Sequence, residues 1–168
     1  MTDYFRLKNW KEDDFEIVRS ILKTTWLDTY LAFVPEKDIL WYLETYYNPE
    51  RLQVLLEDPF AAGVILYYKE EPCGWLRTEF EFEKNEFHIV SLYVLPGFQG
   101  IGAGKYLLDY ATVQAKKGGF DKIWLGVMMD NKKAHNWYIK NGFNFLFNEP
   151  FLMGKTAVEH VVGYKEIL

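Results

Sequence analysis

The chain holds a single cysteine, Cys73, so no disulfide can form within it, and a lone thiol suits a reducing cytosol. It also lacks a basic excess: 19 Lys and Arg face 24 Asp and Glu, for a formal charge of −5. A nucleic-acid partner calls for a basic patch, and none is visible, so no nucleic acid is expected. The acidic balance suits a cationic small-molecule partner, or simply solubility. Long apolar runs are absent too. Ala61–Tyr68 is among the longest and falls well short of the ~20 residues of a membrane span, so no membrane partner is expected. The opening Met1-Thr2-Asp3-Tyr4-Phe5-Arg6 has no basic segment followed by an apolar one, which reads as no export signal and a cytoplasmic location.

Aromatic residues are abundant. Thirteen Phe, 12 Tyr and six Trp make 18% of 168 residues, which excludes disorder. Surface scaling leaves roughly 20,000 Å² to bury on folding, ample for one core and short for two. No repeat, low-complexity tract or Pro/Gly/Ser-rich linker divides the sequence, so residues 1–168 are expected to form one domain.

Periodicity predicts the elements. Tyr4–Lys8 reads as a short strand. Asp13 or Asp14 can cap a helix bearing Phe15, Val18, Ile21, Leu22 and Trp26. Helices follow Pro35 and Pro49. Gly63–Tyr68 is a strand with a turn at Glu70-Glu71-Pro72. Gly74–Glu83 then alternates, with Leu76, Thr78, Phe80 and Phe82 on one face and Trp75, Arg77, Glu79, Glu81 and Glu83 on the other. Glu86–Leu95 is a long strand, Ile101–Lys117 a helix ended by Gly118-Gly119, and Ile123–Met129 a strand. Asn131 caps a short helix closed by Asn141-Gly142. Phe143–Phe147 and Val158–Tyr164 complete the strands. Glu86 to Met129 is one β-α-β crossover, so its two strands should lie parallel if adjacent. The class is α/β: a mixed, mostly antiparallel sheet with one parallel pair and helices on both faces.

The chemistry concentrates where a strand, Leu92-Tyr93-Val94, runs through Pro96 into Gln99-Gly100-Ile101-Gly102-Ala103-Gly104-Lys105 and a helix. Such a junction offers free backbone N–H groups and the positive end of a helix dipole to an anion. Glycines let the backbone approach a phosphate without a side-chain clash. Two nucleotide motifs are excluded. A P-loop needs Gly at position 99 and Ser or Thr at 106, where Gln99 and Tyr106 stand, and the dinucleotide fingerprint needs Gly at 105, where Lys105 stands.

The remaining Gln-x-x-Gly-x-Gly resembles the pyrophosphate loop of the GNAT superfamily of acetyl-CoA-dependent N-acetyltransferases. A second stretch, Asn131-x-x-Ala134-x-x-x-Tyr138-x-x-x-Gly142-Phe143, resembles that family's second cofactor segment. On a helix, positions 131, 134 and 138 fall along one side. Ile123–Val127, Trp137–Phe143 and Phe151-Leu152-Met153-Gly154 are similar to the PaiA-type spermidine/spermine N-acetyltransferases. The resemblance implies direct acetyl transfer from acetyl-CoA to an amine through a tetrahedral intermediate, with no metal. It implies that Leu92, Tyr93 and Val94 pair with the pantetheine arm through their backbones. The pyrophosphate would rest on the amides from Gly100 to Lys105, including Ile101, Gly102, Ala103 and Gly104, with Gln99 shaping the loop. Asn131 would bond the pantetheine arm, Tyr138 would give a proton to the departing thiolate, and Lys140 would either approach the 3′-phosphate or stay solvated.

A base is needed, because an amine of pKa ~10.4 is ~4.6 kcal/mol from its free form at pH 7. Many relatives carry a glutamate on the strand before the loop. Here His88, sharing a face with Glu86 and Val90, stands there, either as relay or as a hydrogen-bonded structural histidine. A second familiar acidic position is Gly126, which supplies no base. A water chain to Glu79 or Glu81 is an alternative. The stripe Glu79/Glu81/Glu83 either receives separated ammonium groups or protects a strand edge. Asp28 and Tyr30, late in the first helix, are candidates for the acceptor pocket. His135 and His160 show no metal spacing with each other or with Cys73, so no metal is expected. The expected acceptor is a small-molecule amine, foremost a polyamine. A protein N-terminus, a lysine side chain, another small amine or a non-catalytic acetyl-CoA sensor are the alternatives. Aromatic residues exposed on the terminal strands would suit a homodimer interface.

Overall fold

The computed structural model describes residues 4–168; Met1–Asp3, part of the stretch read for an export signal, lie outside them. In chain order the elements are β1 (Phe5–Asn9), α1 (Phe15–Tyr30), α2 (Glu36–Tyr46), α3 (Pro49–Glu57), β2 (Ala61–Tyr68), β3 (Glu71–Glu81) and β4 (Glu86–Val94). Then come α4 (Ala103–Lys117), β5 (Lys122–Met128), α5 (Lys132–Lys140), β6 (Asn144–Met153) and β7 (Thr156–Glu166). The predicted elements all form, and the final hairpin is longer at both strands than periodicity suggested.

The apolar stripes decide how the helices dock. Phe15, Val18, Ile21, Leu22 and Trp26 of α1 are buried on one face of the sheet, together with α2 and α3. Leu107, Leu108, Ala111 and Ala115 of α4 are fully buried on the other face. Asp14 does not cap α1 as expected. Its carboxylate instead accepts the Lys11 N–H at 3.0 Å and the Lys8 ammonium at 2.6 Å, closing the 3-10 turn at Glu12–Asp14 ahead of the helix. Asn48 does cap α3, accepting the Arg51 N–H at 2.9 Å.

The seven strands run in the order β1-β2-β3-β4-β5-β7-β6. Neighbours are antiparallel except β4 and β5, which are parallel and joined through α4. The burial of β3 differs from its reading as a half-exposed strand. It is third of seven and covered on both faces, so Trp75 and Arg77 are buried, while Phe82 and Glu83 fall in the turn beyond its end. The acidic stripe therefore shrinks to Glu79 and Glu81.

One irregularity positions the site. Arg77 of β3 faces Ser91 of β4 while the next residue, Thr78, faces Ile89, so Val90 is an extra residue that bulges out of β4. The parallel ladder holds only two registered pairs, Phe87 with Ile123 and His88 with Trp124. Past them β4 and β5 separate, and a cleft opens between their C-terminal ends.

Candidate active site

The cleft has a volume of about 810 Å³, and one lip is formed by Leu92, Tyr93 and Val94 of β4 and the other by Leu125 to Met128 of β5. Each strand hydrogen-bonds its outer neighbour, so the inner edges present backbone N–H and C=O groups to the gap. Such groups need partners, and an extended ligand arm supplies them as a strand would.

At the mouth, Pro96–Phe98 makes a 3-10 turn and the glycine loop follows. Gly100 (φ +82°) and Gly102 (φ +94°) are left-handed, with open space where a Cβ would stand. Only glycine adopts that backbone without strain. Gly102 is also the N-cap of α4 and brings no side chain to the first-turn amides of Ala103, Gly104 and Lys105. Tyr106 makes the first bond of the helix, to the Gly102 carbonyl at 2.9 Å. Gln99 braces the loop: its Nε2 donates to the Val94 carbonyl at 3.0 Å, and its Oε1 accepts from Lys133 Nζ at 2.8 Å. Free amides, a helix N-terminus and one lysine fit a long ligand bearing phosphates. Gln99, Gly100 and Gly104 line the cleft, whereas Ile101 and Ala103 pack toward the core. Lys105 points outward, paired with Asp109 on the exposed side of α4.

Tyr138 of α5 lies in the cleft wall, held by edge contacts to Trp137 (5.0 Å between centroids) and Phe143 (5.3 Å). Burial, with Tyr93 nearby, pushes its phenol well above the ordinary range, so it stays protonated at any working pH. Asn131 lines the same wall, and its Oδ1 caps α5 by accepting the Ala134 N–H at 3.3 Å, which leaves its NH₂ as the group free to donate. Across the cleft, the Tyr30 and Tyr93 hydroxyls are 3.4 Å apart, and burial raises Tyr30 to about 12.

Other expected residues stay outside. His88 is on the last rung before the strands part, and its Nε2 is 2.8 Å from Glu86 and 3.3 Å from Glu81, with Trp124 stacked on the ring. These three side chains satisfy one another at the closed end of the split and do not line the cleft. They are the one group of three potential metal ligands among the described residues, with ligand atoms within 4.8 Å, and Lys84 occupies Glu81 at 3.0 Å. Glu79 pairs with Arg77 and does not line the cleft. Asp28 is exposed on the outer side of α1. Lys140 ends α5, about 10 Å along the axis from Lys133, and is exposed. Lys133 is the lysine at the loop.

Two cleft residues escape sequence reasoning. Arg77 alternates with glutamates and reads as surface, yet it is 6% exposed and lines the cleft. His160 of β7 lies across from β5, and a Cβ on Gly126 would sit 3.4 Å from its Nδ1. The glycine inside a strand was the available signal, since it marks close approach by another group. Desolvation lowers the His160 pKa, so the imidazole is neutral near pH 7. Phe151 stacks on it at 4.4 Å.

Three comparisons bear on this geometry. The family model for the acetyltransferase (GNAT) family matches residues 15–143. An uncharacterized N-acetyltransferase of Lactobacillus delbrueckii subsp. lactis is 26% identical over 149 residues, 85% of this chain and 86% of that protein. The crystal structure of PaiA N-acetyltransferase from Thermoplasma acidophilum, in complex with coenzyme A, superposes with a TM-score of 0.82 at 20% identity, covering 96% of this chain and 98% of that one. The spermidine/spermine N-acetyltransferase SpeG from Vibrio cholerae, solved with manganese ions, gives 0.72 at 16% identity, over 98% and 94%.

Proposed function

The chain belongs to the acetyltransferase (GNAT) family and is an acetyl-CoA-dependent N-acetyltransferase, and from that premise we propose that it acetylates the primary amine of a small-molecule acceptor. The observation that carries the reading is the split between β4 and β5, which joins an open glycine loop at its mouth to a buried phenol at its wall. Bound acetyl-CoA supplies an acetyl thioester. The lips, Leu92 to Val94 and Leu125 to Met128, grip the pantetheine arm, aided by the Asn131 amide. The amides from Gly100 to Lys105, with Lys133 nearby, receive the pyrophosphate.

Tyr138 holds the proton that the departing sulfur takes. Burial keeps the phenol protonated and so able to donate. Because a thiolate is a weaker base than a phenolate, the transfer depends on the phenol's placement beside the leaving sulfur and not on its acidity. His160 accepts the proton that the amine loses, directly or through one water, because it is neutral, reachable from the cleft and close to β5. This moves the base from His88, whose nitrogen is engaged by Glu86 and Glu81. A non-catalytic acetyl-CoA sensor would have no use for a protonated phenol at that position.

A polyamine acceptor, expected from the sequence, draws support from the likeness to SpeG. The carboxylates that were to hold it, Glu79 and Glu81, lie outside the cleft, so the geometry favours an amine with one cationic centre. Cytoplasmic residence draws support from the single, buried Cys73; among the described residues no helix is long and apolar enough to cross a membrane. The test is a panel of spermine, spermidine, an aryl-alkyl monoamine, an N-terminal peptide and a lysine peptide at equal concentration, read by free-thiol release from acetyl-CoA. Release with a small amine and not with peptides is expected; faster release with a peptide would overturn the acceptor class.

A further inference from the structure

The acceptor end of the cleft is aromatic and contains one buried cation. Trp26 packs edge-on against Tyr42, Tyr47 and Tyr93, with centroids 5.8, 5.3 and 6.1 Å away, so four rings wall the chamber. Arg77 lines it at 6% exposure. One of its amino groups pairs with Glu79 and the other reaches the Tyr47 hydroxyl at 3.5 Å, while Nε has no partner in the protein. A guanidinium carries five N–H donors in a planar fork, so donors remain beyond these two contacts. Burying such a group is costly, and a buried donor without an acceptor asks for an explanation. Among the described residues, no carboxylate lines the cleft, and Lys133 is the only other charged side chain that does. A polycation would find no carboxylate in the lining; a carboxylate would find the guanidinium donors that Glu79 and Tyr47 leave free.

Register sets the spacing. Tyr93 faces Trp75 and Ser91 faces Arg77 across the β4–β3 ladder, so Arg77 lies two residues, about 7 Å, down the strand from the tyrosine pair. We propose that this chamber takes a primary amine borne on an aromatic or apolar body whose far end carries a carboxylate, and that Arg77 receives that carboxylate. The Tyr30–Tyr93 hydroxyls mark the amine end. The ring of the acceptor packs against the wall formed by Trp26, Tyr42 and Tyr47, and its length matches a phenyl ring with a short arm on each side. Arg77 thereby favours this acceptor over polyamines, whose second ammonium meets no lining carboxylate.

The inference rests on the acetyl-transfer reading, and its test separates the two. Wild-type protein is assayed with acetyl-CoA and three acceptors: 2-phenylethylamine, 4-(2-aminoethyl)benzoate and spermine. The carboxylate should lower KM by about tenfold relative to 2-phenylethylamine, as a charge-assisted bidentate contact does. Spermine should give the lowest kcat/KM of the three. In Arg77→Met the preference for the acid should shrink to about twofold or less, and Arg77→Lys should restore only part of it, since an ammonium lacks the fork. A second arm needs neither catalysis nor a variant: 4-ethylbenzoate, which has no amine, should raise the melting temperature of the CoA complex. Equal KM values for the two aryl amines in the wild type, or no effect of 4-ethylbenzoate, would overturn the inference. Thiol release from none of the three, with 4-ethylbenzoate still stabilising the CoA complex, would strike the acetyl-transfer reading and leave the carboxylate site standing.

Discussion

Replacing Tyr138 by Phe removes one oxygen from the cleft wall and nothing else. The ring keeps its edge contacts with Trp137 and Phe143, at 5.0 and 5.3 Å. Tyr138 is 8% exposed on α5 and belongs to the core beneath α4, so the apolar burial is unchanged. Unfolding free energy should therefore shift by less than ~1 kcal/mol. The loop amides and strand lips are untouched, so acetyl-CoA affinity should stay within about threefold, ~0.7 kcal/mol. What disappears is the proton for the leaving sulfur. General acid catalysis contributes ~10²–10⁴-fold, or ~2.7–5.5 kcal/mol of barrier. The upper half of that range applies if no water takes the place of the phenol. Steady-state thiol release gives kcat, and a melting shift with CoA reports binding in the same samples. Turnover within about threefold of wild type, with binding intact, would show that the thiolate leaves unaided or is protonated elsewhere, and the assignment would fail.

Further outcomes follow from the same geometry. Because burial holds the Tyr138 phenol above its ordinary range, the rate should rise with pH as base and amine deprotonate and then level off, and an alkaline fall below about pH 10 would contradict the account. His160→Asn should cost more at pH 7 than at pH 10, where the amine supplies its own free base; an equal loss at both would deny His160 the proton-accepting role. CoA at 100 times its dissociation constant should stabilise the protein by about 2.7 kcal/mol, a melting shift of roughly 5–10 °C. Gly102→Val, forced to φ +94° and set in front of the loop amides, should abolish that shift, while Gly97→Ala, in open space, should keep it. Thr156 Oγ1 donates to Asp38 Oδ2 at 2.5 Å and holds that carboxyl below its usual range, tying α2 to the β6–β7 hairpin. A depressed carboxyl stabilises above its unfolded pKa of ~3.9 and loses that contribution as pH falls through the folded value. Thr156→Val should thus lower the melting temperature above about pH 5, with a gap that closes toward pH 3; a gap independent of pH would mean the effect is packing alone.

Local patterns carried much of this reading. The α1 stripe, the inward residues of α4 and the Asn131 cap are set by residues within one or two turns of each other, so periodicity and capping chemistry find them. The glycine loop is legible for a similar reason: a strand end, positive-φ glycines and a helix start are consecutive, and their anion-binding character needs no distant partner. Asn131 and Tyr138 shared a face by helix geometry alone.

The acceptor end of the cleft was not legible, because it is assembled across the sheet. The bulge at Val90 depends on how β4 pairs with β3, and the split depends on where β4 and β5 stop pairing; no pattern within Glu86–Val94 announces either. His88 occupied the expected position, yet side chains from β3 and β4 enclosed it at the closed end. His160 came to the cleft from β7, opposite a glycine 34 positions earlier. Arg77 looked like surface because alternation counts faces along one strand. Whether a face is covered depends on what packs there, and α1 and α2 cover that of β3. Short-range geometry follows from the order of residues, whereas strand neighbours, and with them the charge and shape of the acceptor chamber, emerge only when elements far apart in the chain share one sheet.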